Sequence, residues 1–158
     1  MKIKLVFKYV DIIYKYTIFS YQSGVFMKIT KASDYALRVV SFFATADKQR
    51  YFMRNELSEI CKVPDSFLGK ILQDLVRYGI LESERGKKGG FKLLKDPSDI
   101  TLYDVIAAVE GDIILNDCLV EESSCKISGS CRIHTILDQI RCNLVNDLKK
   151  YKINDIAV

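Results

Sequence analysis

A mainly α-helical fold carrying one small β-hairpin is what this 158-residue chain predicts, and three observations predict it. Apolar residues recur at helical spacing from Ala32 to Phe43 and again along the segment after Cys131. Two shorter helical segments, split by VPD, lie between them. Strand-like pieces occur around RGKKGG, residues 85–90, where three glycines allow a tight hairpin loop.

Each element has its own signal. From Ile29 to about Ala46 the apolar positions 32, 35, 36, 39, 40 and 43 stripe one helix face. The connection DKQRYFMR follows, and NELSEIC makes a second, short helix with Asn55 placed to cap it. Pro64 suits a turn or a first helical position. DSFLGKILQDLVRY is the third helix, ended by Gly79. After the hairpin, closed by Pro97, Thr101 and Asp104 make a capping box for ITLYDVIAAVEGD, which Gly111 stops. A long helix then spans about Arg132 to Tyr151, striped by Ile133, Ile136, Ile140, Leu144 and Leu148. The predicted divisions are residues 1–26, an extension outside the core fold; 27–97, a helix-turn-helix with its hairpin; 98–131, a short helix and cysteine loop; and 132–158, a dimerisation helix and tail. A longer supporting helix, two short helices joined by a tight turn and a hairpin together make a winged helix-turn-helix.

Composition narrows the function. At 49% hydrophobic and 28% charged, the chain reads as an ordinary globular protein with a real core. The net charge of +4 is concentrated at the start: residues 1–26 hold four lysines against Asp11, which leaves only +1 for the remainder. Any nucleic-acid site must therefore be a local patch. Lys8, Asp11 and Lys15 interrupt the apolar N-terminus before it reaches spanning length, so no membrane association and a cytoplasmic location are expected. There is no nucleophile–base pair, no phosphate loop and only one histidine, so no enzyme is expected.

The local patch is found on the third helix. Leu68, Ile71, Leu72, Leu75 and Val76 face inward, leaving Ser66, Gly69, Lys70, Gln73 and Arg77 as the opposite stripe. Hydroxyl, ammonium, amide and guanidinium groups reach base edges or phosphates in a major groove, although every amphipathic helix has a solvated face. Gly69 costs about 1 kcal/mol in a helix interior, which close approach of a partner would explain. The hairpin strengthens this reading: Arg85, Lys87, Lys88, Lys92 and Lys95 place five positive charges within eleven residues. Arg85, Gly86, Lys87, Lys88, Gly89 and Gly90 form a basic loop able to follow phosphates or enter a minor groove.

The cysteines pose a separate question. Three of the five, Cys118, Cys125 and Cys131, fall within fourteen positions, with His134 one helical turn past the last. In a reducing compartment such clustering points away from disulfides. Thiolates are soft ligands suited to an iron–sulfur cluster or zinc; redox-active or inert thiols are the third possibility. Cys61 and Cys142 stand apart and are expected as buried fillers.

With these segments in order, residues 27–150 resemble the bacterial winged-helix regulators that include IscR and NsrR. The segments MKITKASDYALRVV, VPDSFLGKILQDLVRYGILES, RGKKGGFKL and ITLYDVIAAVEG carry the resemblance, together with the cysteine loop. It implies a homodimer held by the long C-terminal helix on a two-fold-related operator in double-stranded DNA. Ser66 and its neighbours would read bases, and Arg85 with the glycine–lysine wing would reach the adjacent minor groove. The resemblance also implies an iron–sulfur cluster on Cys118, Cys125 and Cys131. His134 matches a ligand histidine of a 2Fe-2S arrangement, the favoured form; Asp34 matches the place of a carboxylate ligand to a 4Fe-4S cluster. One departure is plain: IscR has a glutamate that sorts target sequences where this chain has Gly69.

Overall fold

The computed structural model describes residues 29–86, 89–120, 127 and 130–157. The predicted extension 1–26, Lys87, Lys88 and Cys125 lie outside them. Helix α1 spans Lys31–Thr45, capped by Thr30, whose hydroxyl accepts the Ser33 amide. Helix α2 spans Arg54–Cys61. Its N-cap is Met53, and Asn55, expected at the cap, lies inside the helix. The reason is Glu56, whose carboxylate accepts the Met53 N–H at 2.8 Å and closes the helix start one residue before Arg54.

Lys62 ends α2 in the left-handed region at φ 55°, and the Ser58 hydroxyl donates to the Val63 carbonyl at 2.8 Å. This turn sets the angle at which α3, Asp65–Arg77, leaves. Pro64 sits at its N-cap position, and Gly79 follows its C-cap at φ 73°. There the Ile80 N–H reaches the Leu75 carbonyl and the Gly79 N–H reaches Val76, closing the helix with two bonds.

Strands β1, Leu81–Glu84, and β2, Gly90–Leu93, pair antiparallel in the register Leu81 to Leu93 and Glu84 to Gly90. The connection before α2 adds a feature that its sequence did not announce. Phe52 forms an isolated bridge with Phe91 through two 2.9 Å backbone bonds, so a third segment ties the hairpin to the body. A 3-10 turn at Pro97–Asp99 leads to α4, Leu102–Glu110, whose Thr101–Asp104 capping box and terminal Gly111 form as expected. A second 3-10 turn spans Asp117–Leu119, α5 spans Arg132–Lys150, and α6, Ile153–Ile156, ends the chain.

One core joins most of these elements. Ala36, Val39 and Val40 of α1 meet Leu57 of α2, Leu68 and Leu72 of α3, Val105 of α4 and Ile153 of α6, all fully buried. The helix α5 stands outside this core. None of its residues is buried, and its predicted stripe is open to solvent from Ile133, 67% exposed, to Leu144, 39% exposed, with Leu148 half-buried. Among the described residues no helix is long and apolar enough to cross a membrane.

Candidate nucleic-acid interface and cysteine loop

The α3 stripe emerges as its periodicity predicts. Leu68, Ile71, Leu72 and Leu75 are buried, whereas Ser66, Lys70, Gln73 and Arg77 are exposed and Gly69 is half-covered. Sequence reasoning missed Asp74. Its side chain is only 8% exposed, yet it lies on the same helix and takes the Arg77 guanidinium at 2.9 Å. Arg77 is thereby held at the end of the stripe.

Arg85 and Gly86 are exposed at the tip of the hairpin, where the Gly89 N–H reaches back to the Gly86 carbonyl at 3.0 Å. The two glycines at the end of the loop have backbone reasons of their own. A Cβ at Gly89 would lie 2.2 Å from the Glu84 carbonyl oxygen, and one at Gly90 would lie 2.4 Å from that of Phe52. Both positions exclude a side chain whatever the hairpin touches. Lys92, counted from sequence among the free basic residues, is turned inward. Its ammonium pairs with Glu82 at 2.9 Å and stands 4.8 Å from the centre of the Tyr51 ring. The Tyr51 hydroxyl donates to the same carboxylate at 2.9 Å. The Lys92 bond, then the Tyr51 bond, lowers the Glu82 pKa. The accepting Glu82 carboxylate raises those of Lys92 and Tyr51 in turn. The positive surface of the wing is thus smaller than the sequence implies.

Cys118 sits in the Asp117–Leu119 turn, which packs against α5. Cys131 occupies the N-cap position of α5, and His134 lies in the first turn of that helix. Both cysteines are half-buried free thiols, and His134 is half-buried. Among the described residues no three His, Cys, Asp or Glu side chains converge as a metal site, but Cys125 lies outside that set. Asp34 pairs with Arg38 in its own helix at 2.6 Å. Cys61 is buried, and burial pushes its thiol up to about 11. Cys142 differs from the expectation of a buried filler: it is half-exposed on α5, with its Sγ 3.7 Å from Arg141 and 4.0 Å from Asp138. The helix that carries it finds no core to enter.

A groove of about 540 Å³ opens between the start of α1, the end of α4 and α5. Ile29, Ile106, Ile114, Leu115, Leu144 and Leu148 line it. At its edge Glu110 accepts hydrogen bonds from the hydroxyls of Thr30 and Ser33. Leu144 and Leu148 make this groove continuous with the exposed stripe of α5.

Comparison with known proteins agrees with this arrangement. Residues 29–158 match the sequence model of the Rrf2 family, described as an iron-dependent transcriptional regulator. The HTH-type transcriptional regulator NsrR of Bacillus licheniformis is 30% identical over 133 residues, covering 84% of this chain and 93% of that protein. The structure of CymR, the global cysteine regulator of B. subtilis, superposes with a TM-score of 0.61 at 20% identity, covering 84% of this chain and 97% of CymR. IscR of T. potens gives 0.61 at 17% identity, over 82% of this chain and 85% of that one.

Proposed function

This chain belongs to the Rrf2 family of DNA-binding transcription regulators, which are not enzymes, and we propose that an iron–sulfur cluster on its cysteine loop controls its hold on DNA. The protein acts as a homodimer on a two-fold-related operator in double-stranded DNA, in the cytoplasm. Each protomer lays α3 in a major groove, with Ser66, Lys70, Gln73 and Arg77 toward base edges and phosphates. Arg85 and the loop 86–90 lie against the adjacent backbone or minor groove.

The observation that carries the cluster reading is the donor set at the start of α5. Cys131 and His134 stand one turn apart, and the turn holding Cys118 packs on the same helix. Two half-buried free thiols and an imidazole, joined by Cys125, suit iron better than harder metals. Cys118, Cys125 and Cys131 would hold the cluster, with His134 completing the set. In this reading His134, one helical turn from Cys131, is the fourth ligand rather than Asp34 of α1, and the cluster is the 2Fe-2S form. Such a cluster supplies a redox-sensitive, displaceable centre when bound. The dimer reading rests on α5, whose unpartnered apolar stripe runs into an apolar groove on its own protomer. A second copy presenting the same stripe would bury both, as two-fold symmetry requires.

Anaerobic purification with iron and sulfide analysis tests the cluster. The expected result is a coloured protein with equal iron and sulfide, lost in Cys118→Ser, Cys125→Ser and Cys131→Ser. Colourless protein free of iron and sulfide after reconstitution would replace this reading with zinc binding or thiol redox sensing, which metal analysis and thiol titration separate.

A further inference from the structure

Resting on the proposal that α3 enters a major groove, we propose that Arg54 of α2 is a base-reading residue. Its guanidinium lies over Gly69 and stands in for the side chain that α3 lacks there. Asp65 is its positioning residue. The expected target is a guanine in each half of the operator.

The argument begins with Gly69. It lies in the interior of α3, at the middle of the exposed stripe, with Ser66 before it and Lys70 and Gln73 after it. A Cβ built at this position has one neighbour within 4 Å among the described residues: Nη1 of Arg54, at 3.2 Å. No backbone and no core side chain demands the glycine. What occupies the space is a guanidinium delivered from the first residue of the preceding helix.

That guanidinium is held in a defined plane. Nε lies 2.8 Å from Oδ1 of Asp65, and Nη2 lies 3.0 Å from Oδ2. The carboxylate therefore grips the side-on edge of the fork. Arginine has five N–H donors in fixed directions. Two go to Asp65, and the end-on pair, one N–H from each terminal nitrogen, meets no acceptor among the described residues. Such a pair matches the O6 and N7 acceptors that guanine shows in the major groove. Both side chains are about half exposed, 53% and 55%. An exposed pair of this kind adds little to stability. It does, however, orient the arginine before a partner arrives, reducing the ordering cost of binding. The pair also accounts for an acid on the first turn of a helix that faces phosphates, since Arg54 neutralises Asp65.

Selection of duplexes from a random pool by the full-length protein, followed by affinity measurements on the recovered site, tests the inference. Arg54→Ala is expected to lose discrimination by about tenfold to a hundredfold at one guanine per half-site, with the remaining motif retained. Arg54→Lys keeps the charge but not the fork, so it should lose the same base preference while preserving the salt dependence of binding. Asp65→Ala should weaken that preference in part. Gly69→Leu should disturb it by displacing the guanidinium. Circular dichroism confirms that the variants fold. Unchanged preference at every position in Arg54→Ala, or equal weakening on all sequences, would overturn the inference, the latter marking a phosphate contact. If Lys70→Ala and Gln73→Ala alter the motif while Arg54→Ala does not, this inference alone falls. If none of the three alters it, the groove docking of α3 falls as well.

Discussion

Gly89 and Asp96 illustrate how much of the wing is decided by single residues. Gly89 sits where any Cβ would meet the Glu84 carbonyl, so the loop can fold back on β1 only without a side chain there. Asp96 accepts the backbone N–H and the hydroxyl of Ser98 and pairs with Lys48 at 3.1 Å. These partners, with the Ser98 amide first, lower its pKa from 3.8 to about 2. The folded state thus binds this proton less readily than the unfolded chain. The stabilisation is complete above the unfolded value and disappears as pH falls through about 2. Asp96→Ala should therefore lower Tm near neutral pH, and the gap from the parent should shrink between pH 4 and pH 2. Thermal melts across that range check it; a gap independent of pH would contradict the account.

Among the elements, α3 was the most legible. Apart from buried Asp74, its buried and exposed residues follow directly from helical periodicity, and Gly79 ends it as the sequence indicates. The α2 cap was misplaced by two residues because Asn55 is a good capping residue, whereas the contact that decides the cap is the reach of Glu56 back to Met53. Lys92 was counted as a free charge because its cross-strand partner Glu82 lies ten positions earlier and pairs with it only in the hairpin register. The stripe of α5 was read correctly, but its exposure could not be, since periodicity gives the face and not what covers it. If a second copy covers it, Ile136→Asp with Ile140→Asp should convert a dimer to a monomer and reduce operator affinity. Sedimentation or light scattering checks this; an unchanged dimer would place the contact elsewhere.

Over the whole molecule, the last helix, α6, packs against the first, α1. The Ile153 N–H bonds to the Ile100 carbonyl at 2.9 Å, and the Ser41 hydroxyl donates to the Ile156 carbonyl at 3.0 Å. Ile153 is fully buried against the helix-turn-helix core. The segment after α5 thus works as a clasp returning to the helix-turn-helix half. Ile153→Ala should cost about 2–4 kcal/mol and lower Tm in one cooperative transition. A separate early transition confined to the C-terminal segment would show that the clasp is independent of the core.

Local chemistry alone determined helices α1 to α5, the hairpin, the polar face of α3 and the grouping of thiols before α5. Period, caps and glycines act within a few residues, so they are visible in a linear string. Folding decided what lies far apart in that string. It brought Phe52 onto Phe91, set Glu82 against Lys92, returned Ile153 to the core and placed Arg54 over Gly69. Each of these depends on packing between elements, where distance and orientation, which sequence spacing does not encode, select the partner.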